Sequence, residues 1–409
     1  MTIAKPLTAR DGTEVVDGLR GLAILLVVGF HTWLFSWLIP ALTIGGVAHR
    51  FDFFARIGYL GVDLFFLISG FCLFYPYARE AIEGSALMSN VQFARRRALK
   101  ILPSYALALV VTAALAAPAF TSIGDAANAF IAHALFVQNA FNEAYRANNT
   151  VLWSLAIEVQ FYLIFPFLAR AFLANAPLTF SGLVGAALVY RLGTAQCCFD
   201  VETIRRQLPA WLDVFACGML AAYAYVWVRR HLPELARARR TWTLCALGAT
   251  ALGLLLLVQA DAAQNLHNGR EGWQVLNRSL LAGVGAVLIV SSCFAASWWR
   301  ALLANRVLVF LSVVSYNLYL WHTIIELWLV QHRLPHSATL NPHDDPRWKF
   351  AYVALSLISS LAISIALTYV LERPILATVH PQPFCLNYRR LIDALRSRFA
   401  KDAIGPGTR

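Results

Sequence analysis

Charge is scarce in this sequence. Asp, Glu, Lys and Arg make up 14% of its 409 residues, against about 25% in soluble domains, which excludes an ordinary water-soluble enzyme. Cysteine is sparse too, and poorly spaced for chemistry. Cys72, Cys217, Cys245 and Cys293 fall inside apolar runs, Cys385 lies near the C-terminal end, and only the neighbours Cys197 and Cys198 are expected to face outward. That pattern gives neither a disulfide framework nor a metal-ligand spacing, so no metal site is expected. The start of the chain carries Asp11, Glu14 and Asp17 with few positive charges before the first apolar run, unlike a secretory signal peptide. Internal repeats, low-complexity tracts and a second domain are not visible.

Long apolar runs are present instead. Hydrophobic residues reach 59%, in segments close to the roughly 20 residues that cross a bilayer as a helix. Ten spans are expected, near 19–39, 57–78, 100–119, 150–173, 178–195, 208–229, 241–259, 278–296, 307–331 and 349–371, with 178–195 the least apolar. The segment 125–141 is apolar but interrupted by Asp125, Asn128 and His133, which suits a re-entrant or interfacial piece buried in protein. The expected fold is an all-α integral membrane bundle of about ten transmembrane helices, with a tail over 1–18, a membrane domain over 19–371 and a basic tail over 372–409. Lys and Arg collect in cytoplasmic loops. With both termini inside, 23 of the 34 basic residues lie on the cytoplasmic side. The net charge of +12 is then a topology signal towards the lipid bilayer; no nucleic-acid partner is needed. Arg389, Arg390, Arg396, Arg398 and Lys401 suit a segment lying against anionic lipid.

With no other module, chemistry has to come from polar residues within the spans, where an ionisable group costs at least about 2.5 kcal/mol. The first span holds Asp17, Arg20 and His31. Arg20 and His31 are eleven positions apart, which is three helical turns plus some 20°, so the two share a face and lie roughly 16 Å apart along the axis. The fourth span reads Trp153-Ser154 to Glu158 and Tyr162, a polar stripe at i, i+4 and i+8. By distance from the outer ends of their spans, His31, Glu158 and His322 could share one polar layer, with Asp63 shallower. Interhelical hydrogen bonding alone would also account for such residues.

A histidine beside a carboxylate suits acyl transfer to a hydroxyl, because imidazole titrates near neutrality and can take the hydroxyl proton as attack proceeds. Glu158 is the first choice of partner, with Asp63 and His322 as alternatives. A proton-coupled transporter could use the same groups. Arg95, Arg96, Arg97 and Lys100 enter the third span from the side assigned to the cytoplasm. Guanidinium groups bind phosphates by paired, charge-assisted hydrogen bonds, although a topology-setting flank would carry the same residues.

These residues resemble the acyltransferase-3 family of integral membrane proteins, over nearly the whole chain. Asp17-Gly-Leu-Arg20 with ten residues before His31 is similar to the family's opening signature, and Gly58-Tyr-Leu-Gly61-Val-Asp63 through Ser69-Gly70-Phe71 to its second-span motif. Phe93-Ala-Arg95-Arg96-Arg97 to Leu102-Pro103, Trp153-Ser154 to Tyr162, and Ser315-Tyr316 to His322 complete the order. The resemblance implies a ten-helix domain that moves an acyl group, most often acetyl, from cytoplasmic acyl-CoA to a hydroxyl of a surface or exported carbohydrate or glycolipid. It implies no tightly bound cofactor and a bacterial inner-membrane location. By the same resemblance Arg20 and His31 are essential, with His31 catalytic. Some members append an extracytoplasmic hydrolase-like domain; this chain is expected to represent the form without one, delivering the group directly or to a separate protein. A proton-coupled transporter or flippase of a lipid-linked sugar or small metabolite is the alternative; it would show paired, broken spans in corresponding halves, which the sequence lacks. Phe141, Tyr145 and Trp273 in outer segments could stack on sugar without specifying one.

Overall fold

A computed structural model describes residues 12–45, 47–116, 122–141, 151–196, 206–264, 266 and 269–378. Among these residues, ten helices are long and apolar enough to cross a membrane. They are α1 (Glu14–Ser36), α2 (Gly61–Glu83), α3 (Asn90–Ala116), α4 (Leu152–Ala174), α5 (Ala176–Gln196), α6 (Leu212–His231), α7 (Arg239–Ala263), α8 (Gly269–Phe294), α9 (Arg306–Gln331) and α10 (Pro346–Leu367). A π-helical turn, Thr368–Glu372, and a last turn, Arg373–Ala377, prolong α10. Most are apolar all round, since lipid solvates what protein does not bury. Pro76, Pro103 and Pro166 sit inside α2, α3 and α4, tolerated because neighbouring helices re-satisfy the freed backbone groups. Where helices begin in polar surroundings, the caps are ordinary ones. Asn305 accepts from the amides of Val307 and Leu308, and Asp345 from those of Arg347 and Trp348.

Helix pairs α1–α9, α2–α6, α7–α8 and α9–α10 make the closest packing. Glycine makes two of these approaches possible. A Cβ at Gly21 would stand 2.0 Å from the Leu308 carbonyl oxygen, and one at Gly218 would stand 2.1 Å from that of Leu67. Helices α2, α6 and α9 are the most buried, while α5, α7 and α10 present most of their surface outward.

Several boundaries differ from the expected ones, and three of them bear on the site. Helix α1 begins at Glu14, inside the stretch read as a tail, so Asp17 is helical. Helix α3 begins at Asn90 rather than near 100, which turns the basic run into its opening turns. Helical structure after α10 runs to Ala377, past the expected edge of the membrane domain. The basic residues from Arg389 onward, Tyr145, Cys197, Cys198 and Cys385 lie outside the described residues. The segment 125–141 forms a 12-residue helix, Ile123–Ala134, followed by a tight turn, Gln138–Ala140. It is too short to cross a bilayer, and the Gln138 amide donates to the Leu152 carbonyl at 3.0 Å.

The bundle is all-α as expected, with one small addition. A small antiparallel hairpin pairs Ala41–Ile44 with Val47–Arg50 after α1. Asp52 ties it down, accepting from Arg50 at 2.7 Å, with Arg56 3.7 Å away and bridging on to Asp261 at 2.7 Å. Burial raises the Asp52 carboxyl, but the Arg50 hydrogen bond and the Arg56 and Arg50 charges outweigh it, leaving the group below its ordinary range.

Candidate active site

A cavity of about 510 Å³ runs between α1, α2, α3, α4, α9 and the end of α10. Its volume falls in the range of small-molecule sites, roughly 300–1,000 Å³. One end is cationic, with Arg20, Arg96, Arg97, Lys100 and Arg373 in its wall beside Asp17 and Glu372. The helical register of α3 explains which arginines take part. At 100° per residue, Arg96, Arg97 and Lys100 fall within one arc of the helix and Arg95 does not. Arg95 is exposed and lies off the cavity wall, so the structure separates it from the two arginines with which it was grouped. Arg97 is placed by aromatic rings, its guanidinium carbon 5.2 Å from the ring centre of Tyr162 and 5.7 Å from that of Phe93. Arg20 lies 3.7 Å from the Cys72 sulfur.

From there a polar ribbon leads inward along α4. Tyr162 and Ser69 both donate to the Glu158 carboxylate, the serine at 2.9 Å. One turn further on, the Ser154 hydroxyl meets that of Tyr319 at 2.5 Å, and Tyr319 also donates to the Val151 carbonyl at 2.9 Å. All five side chains line the cavity. Tyr316, a turn back along α9, lines it as well and donates to the Ile101 carbonyl at 2.8 Å.

Beyond Tyr319 stand the two histidines. The ring centres of Tyr319 and His322 are 5.9 Å apart, and those of His322 and His31 5.0 Å. His322 Nε2 is 3.2 Å from His31 Nδ1. This replaces the first choice of partner with one of the two alternatives. Glu158 is held by Ser69 and Tyr162, no hydrogen bond joins it to His31 among the described residues, and the partner of His31 is His322. Depth along the helices had suggested one polar layer, but depth does not fix which way a side chain faces.

Backbone carbonyls set the tautomers. His31 Nδ1 is 2.9 Å from the Val27 oxygen, and His322 Nδ1 lies 3.0 and 2.9 Å from the oxygens of Leu318 and Tyr319. A carbonyl can only accept, so each Nδ1 carries the proton. His322 Nε2 is then a lone pair facing the His31 Nδ1–H, and His31 Nε2 is a bare base. A proton arriving on His31 Nε2 creates an imidazolium whose Nδ1–H already points at two acceptors. One residue along α1, Thr32 donates to Glu326 Oε1 at 2.5 Å, a second link between α1 and α9. His322 and Glu326 are fully buried.

Asp63 and Trp153 belong elsewhere. Asp63 accepts from Arg278 at 3.0 Å, and Arg278 stacks 3.8 Å from the Trp211 ring centre. Trp153 packs on Phe66 and Trp211. Neither residue lines the cavity. Trp273 is buried too, while Phe141 is exposed. A further buried pair, Arg191 with Asp213 at 2.8 Å, bridges α5 and α6. Arg191, Asp213, Arg278, Glu326 and Glu372 were not singled out from sequence. For Arg191, Asp213, Arg278 and Glu326 the signal was available, since each is an ionisable residue inside an expected span; Glu372 fell on the first residue of the expected tail. Among the described residues no group of three His, Cys, Asp or Glu side chains is placed to hold a metal.

The described helices thus enclose a cationic mouth and a polar wall, with paired histidines behind it, in a bundle whose spans are long and apolar enough to cross a membrane. The chain belongs to the acyltransferase-3 family, whose acyltransferase domain matches residues 14–369. It is similar to the peptidoglycan O-acetyltransferase OatA of Listeria monocytogenes, 25% identical over 332 residues that cover 77% of this chain and 49% of that protein. It is also similar to a putative O-acetyltransferase of Staphylococcus aureus, 25% identical over 75% of this chain and 49% of that one. A putative peptidoglycan O-acetyltransferase of Bacillus subtilis, YrhL, is 26% identical over 75% and 47%. The chain thus spans about half the length of these curated relatives. No solved structure matches it.

Proposed function

We propose that this protein is a bacterial inner-membrane O-acetyltransferase that takes an acetyl group from acyl-CoA on the cytoplasmic side and places it on a hydroxyl of a surface or exported carbohydrate. The carrying observation is a cavity that begins at Arg20, Arg96, Arg97 and Lys100 and ends at Ser154 and Tyr319; neither histidine lines it, but His322 lies behind Tyr319 at 5.9 Å between ring centres and His31 5.0 Å beyond that. The basic mouth offers charge-assisted bonds to the phosphates of coenzyme A. The pantetheine arm follows the polar wall, which brings the thioester across the roughly 16 Å from Arg20 to His31. The excess of Lys and Arg in the loops on the Arg20 side supports that side as cytoplasmic.

In the reaction, His31 Nε2 takes the proton of an acceptor hydroxyl as its oxygen attacks the thioester carbonyl. The C–S bond breaks, the new C–O ester forms, and the proton held on His31 Nε2 passes to the leaving coenzyme A thiolate, restoring the neutral imidazole. His322 Nε2 and the Val27 carbonyl hold the imidazolium in the meantime, a role that carboxylates fill in other acid–base pairs. The relatives named for peptidoglycan support a carbohydrate acceptor. Mass spectrometry of surface glycans from cells with and without the gene tests this reading. An acetyl ester present only with the protein supports it, and identical glycans would refute it.

A further inference from the structure

Two carboxylates in the cationic end of the cavity, Asp17 and Glu372, have the wrong sign for a phosphate site. Glu372 is 4% exposed, lines the cavity and closes the π-helical turn that follows α10. Turns of this kind are uncommon and gather at functional positions. Its two oxygens are divided. Oε1 pairs with Lys100 of α3, and Oε2 accepts from the Asn317 amide of α9 at 2.9 Å. The same Asn317 nitrogen reaches Thr368 Oγ1, at the other end of the π turn, at 2.9 Å. Lys100 also rests 5.4 Å from the ring centre of Tyr316, itself fixed to the Ile101 carbonyl. A lysine ammonium swings on a four-carbon stem that carries about 2 kcal/mol of rotamer entropy. Here it is held from α9 and from the end of α10 at once.

Two roles fit a carboxylate in that place, and they predict opposite outcomes. A plain counter-ion offsets the positive mouth, so removing its charge strengthens anion binding. A brace pre-orders Lys100, so removing it weakens anion binding even though the site becomes more positive. The directed contacts favour the brace: a counter-ion does not need Asn317, itself anchored on Thr368, to fix its second oxygen. We infer that Glu372 is a positioning residue for the donor, holding the Lys100 ammonium where it meets a phosphate of coenzyme A. The inference rests on reading the cavity as the donor site.

The test is coenzyme A binding to the purified full-length protein, with KM and kcat for acetyl-CoA measured in parallel. Glu372→Gln, which keeps the shape and removes the charge, is expected to weaken coenzyme A binding about tenfold, equivalent to about 1.4 kcal/mol. KM rises with it, while kcat at saturating donor stays within about twofold. Glu372→Asp keeps the charge but withdraws it by one methylene; a brace predicts weaker binding here too, and a counter-ion predicts none. Combining Glu372→Gln with Lys100→Met is expected to cost no more than Lys100→Met alone. Tighter or unchanged binding by either Glu372 variant overturns the assignment while leaving the donor site intact. Failure of the wild-type protein to bind coenzyme A overturns the donor reading itself, and this inference with it.

Discussion

Replacing His322 with phenylalanine isolates the contact that distinguishes this site from a histidine–carboxylate pair. His322→Phe keeps a flat ring in a fully buried position and deletes the lone pair that sits 3.2 Å from His31 Nδ1. The carbonyls of Leu318 and Tyr319, which His322 Nδ1 also contacts, are acceptors inside a helix and lose little. Only the part of an interaction that strengthens in the transition state affects kcat. A hydrogen bond between neutral groups is worth about 0.5–1.5 kcal/mol and one to a charged group about 1.5–3. As His31 becomes an imidazolium, the difference is about 1–2 kcal/mol, or about 5- to 30-fold in kcat. The assay is release of coenzyme A by purified protein at saturating acetyl-CoA and acceptor, with coenzyme A binding as the control for an intact cavity. A kcat within twofold of wild type would refute the histidine-pair account.

Three further outcomes follow from the geometry. Arg97→Ala removes a cavity-lining guanidinium and is expected to raise the KM for acetyl-CoA about 10- to 150-fold, the equivalent of a charged hydrogen bond, while Arg95→Ala changes it less than about twofold. Equal effects would contradict the separation of the two in α3. Asp63→Leu strands Arg278 without its carboxylate and is expected to destabilise the protein by about 3–5 kcal/mol, seen as a lower melting temperature in detergent and recovered by adding Arg278→Met. A folded but inactive Asp63→Leu protein would return Asp63 to the catalytic set. At the hairpin, the Asp52 carboxyl is lowered in the folded state, so its stabilisation is present above the ordinary Asp value of about 3.9 and is lost as pH falls below it. Limited proteolysis between residues 37 and 56 is expected to accelerate only in that acid range, and Asp52→Asn to remove the dependence.

The ten spans were legible because a bilayer imposes length and hydrophobicity on each crossing, and even the least apolar, α5, is a helix of 21 residues. The Arg20 to His31 spacing was legible because both lie on one helix, where register is fixed at 100° per residue. Partners across helices were not. Which residue of α9 meets His31 depends on the rotation of α9 about its own axis, and glycine contacts such as Gly21 on Leu308 set that rotation. Membrane helices that are apolar all round give little sign of their inward faces. The ion pairs Asp63–Arg278 and Lys100–Glu372 were hidden for the same reason, each joining residues over two hundred positions apart. The small hairpin after α1 escaped notice inside a short connection between two strong helical signals.

The most direct measurement of the central claim is transfer of labelled acetyl from acetyl-CoA to glycan by His31→Ala, alongside its affinity for coenzyme A. With the donor held at the far end of the cavity and His31 acting only as the base, coenzyme A binding is expected to stay within about twofold of wild type. Transfer is expected to fall by about 10²- to 10⁴-fold, the contribution of a positioned general base. Folded His31→Ala protein that still transfers acetyl within tenfold of the wild-type rate would contradict the account.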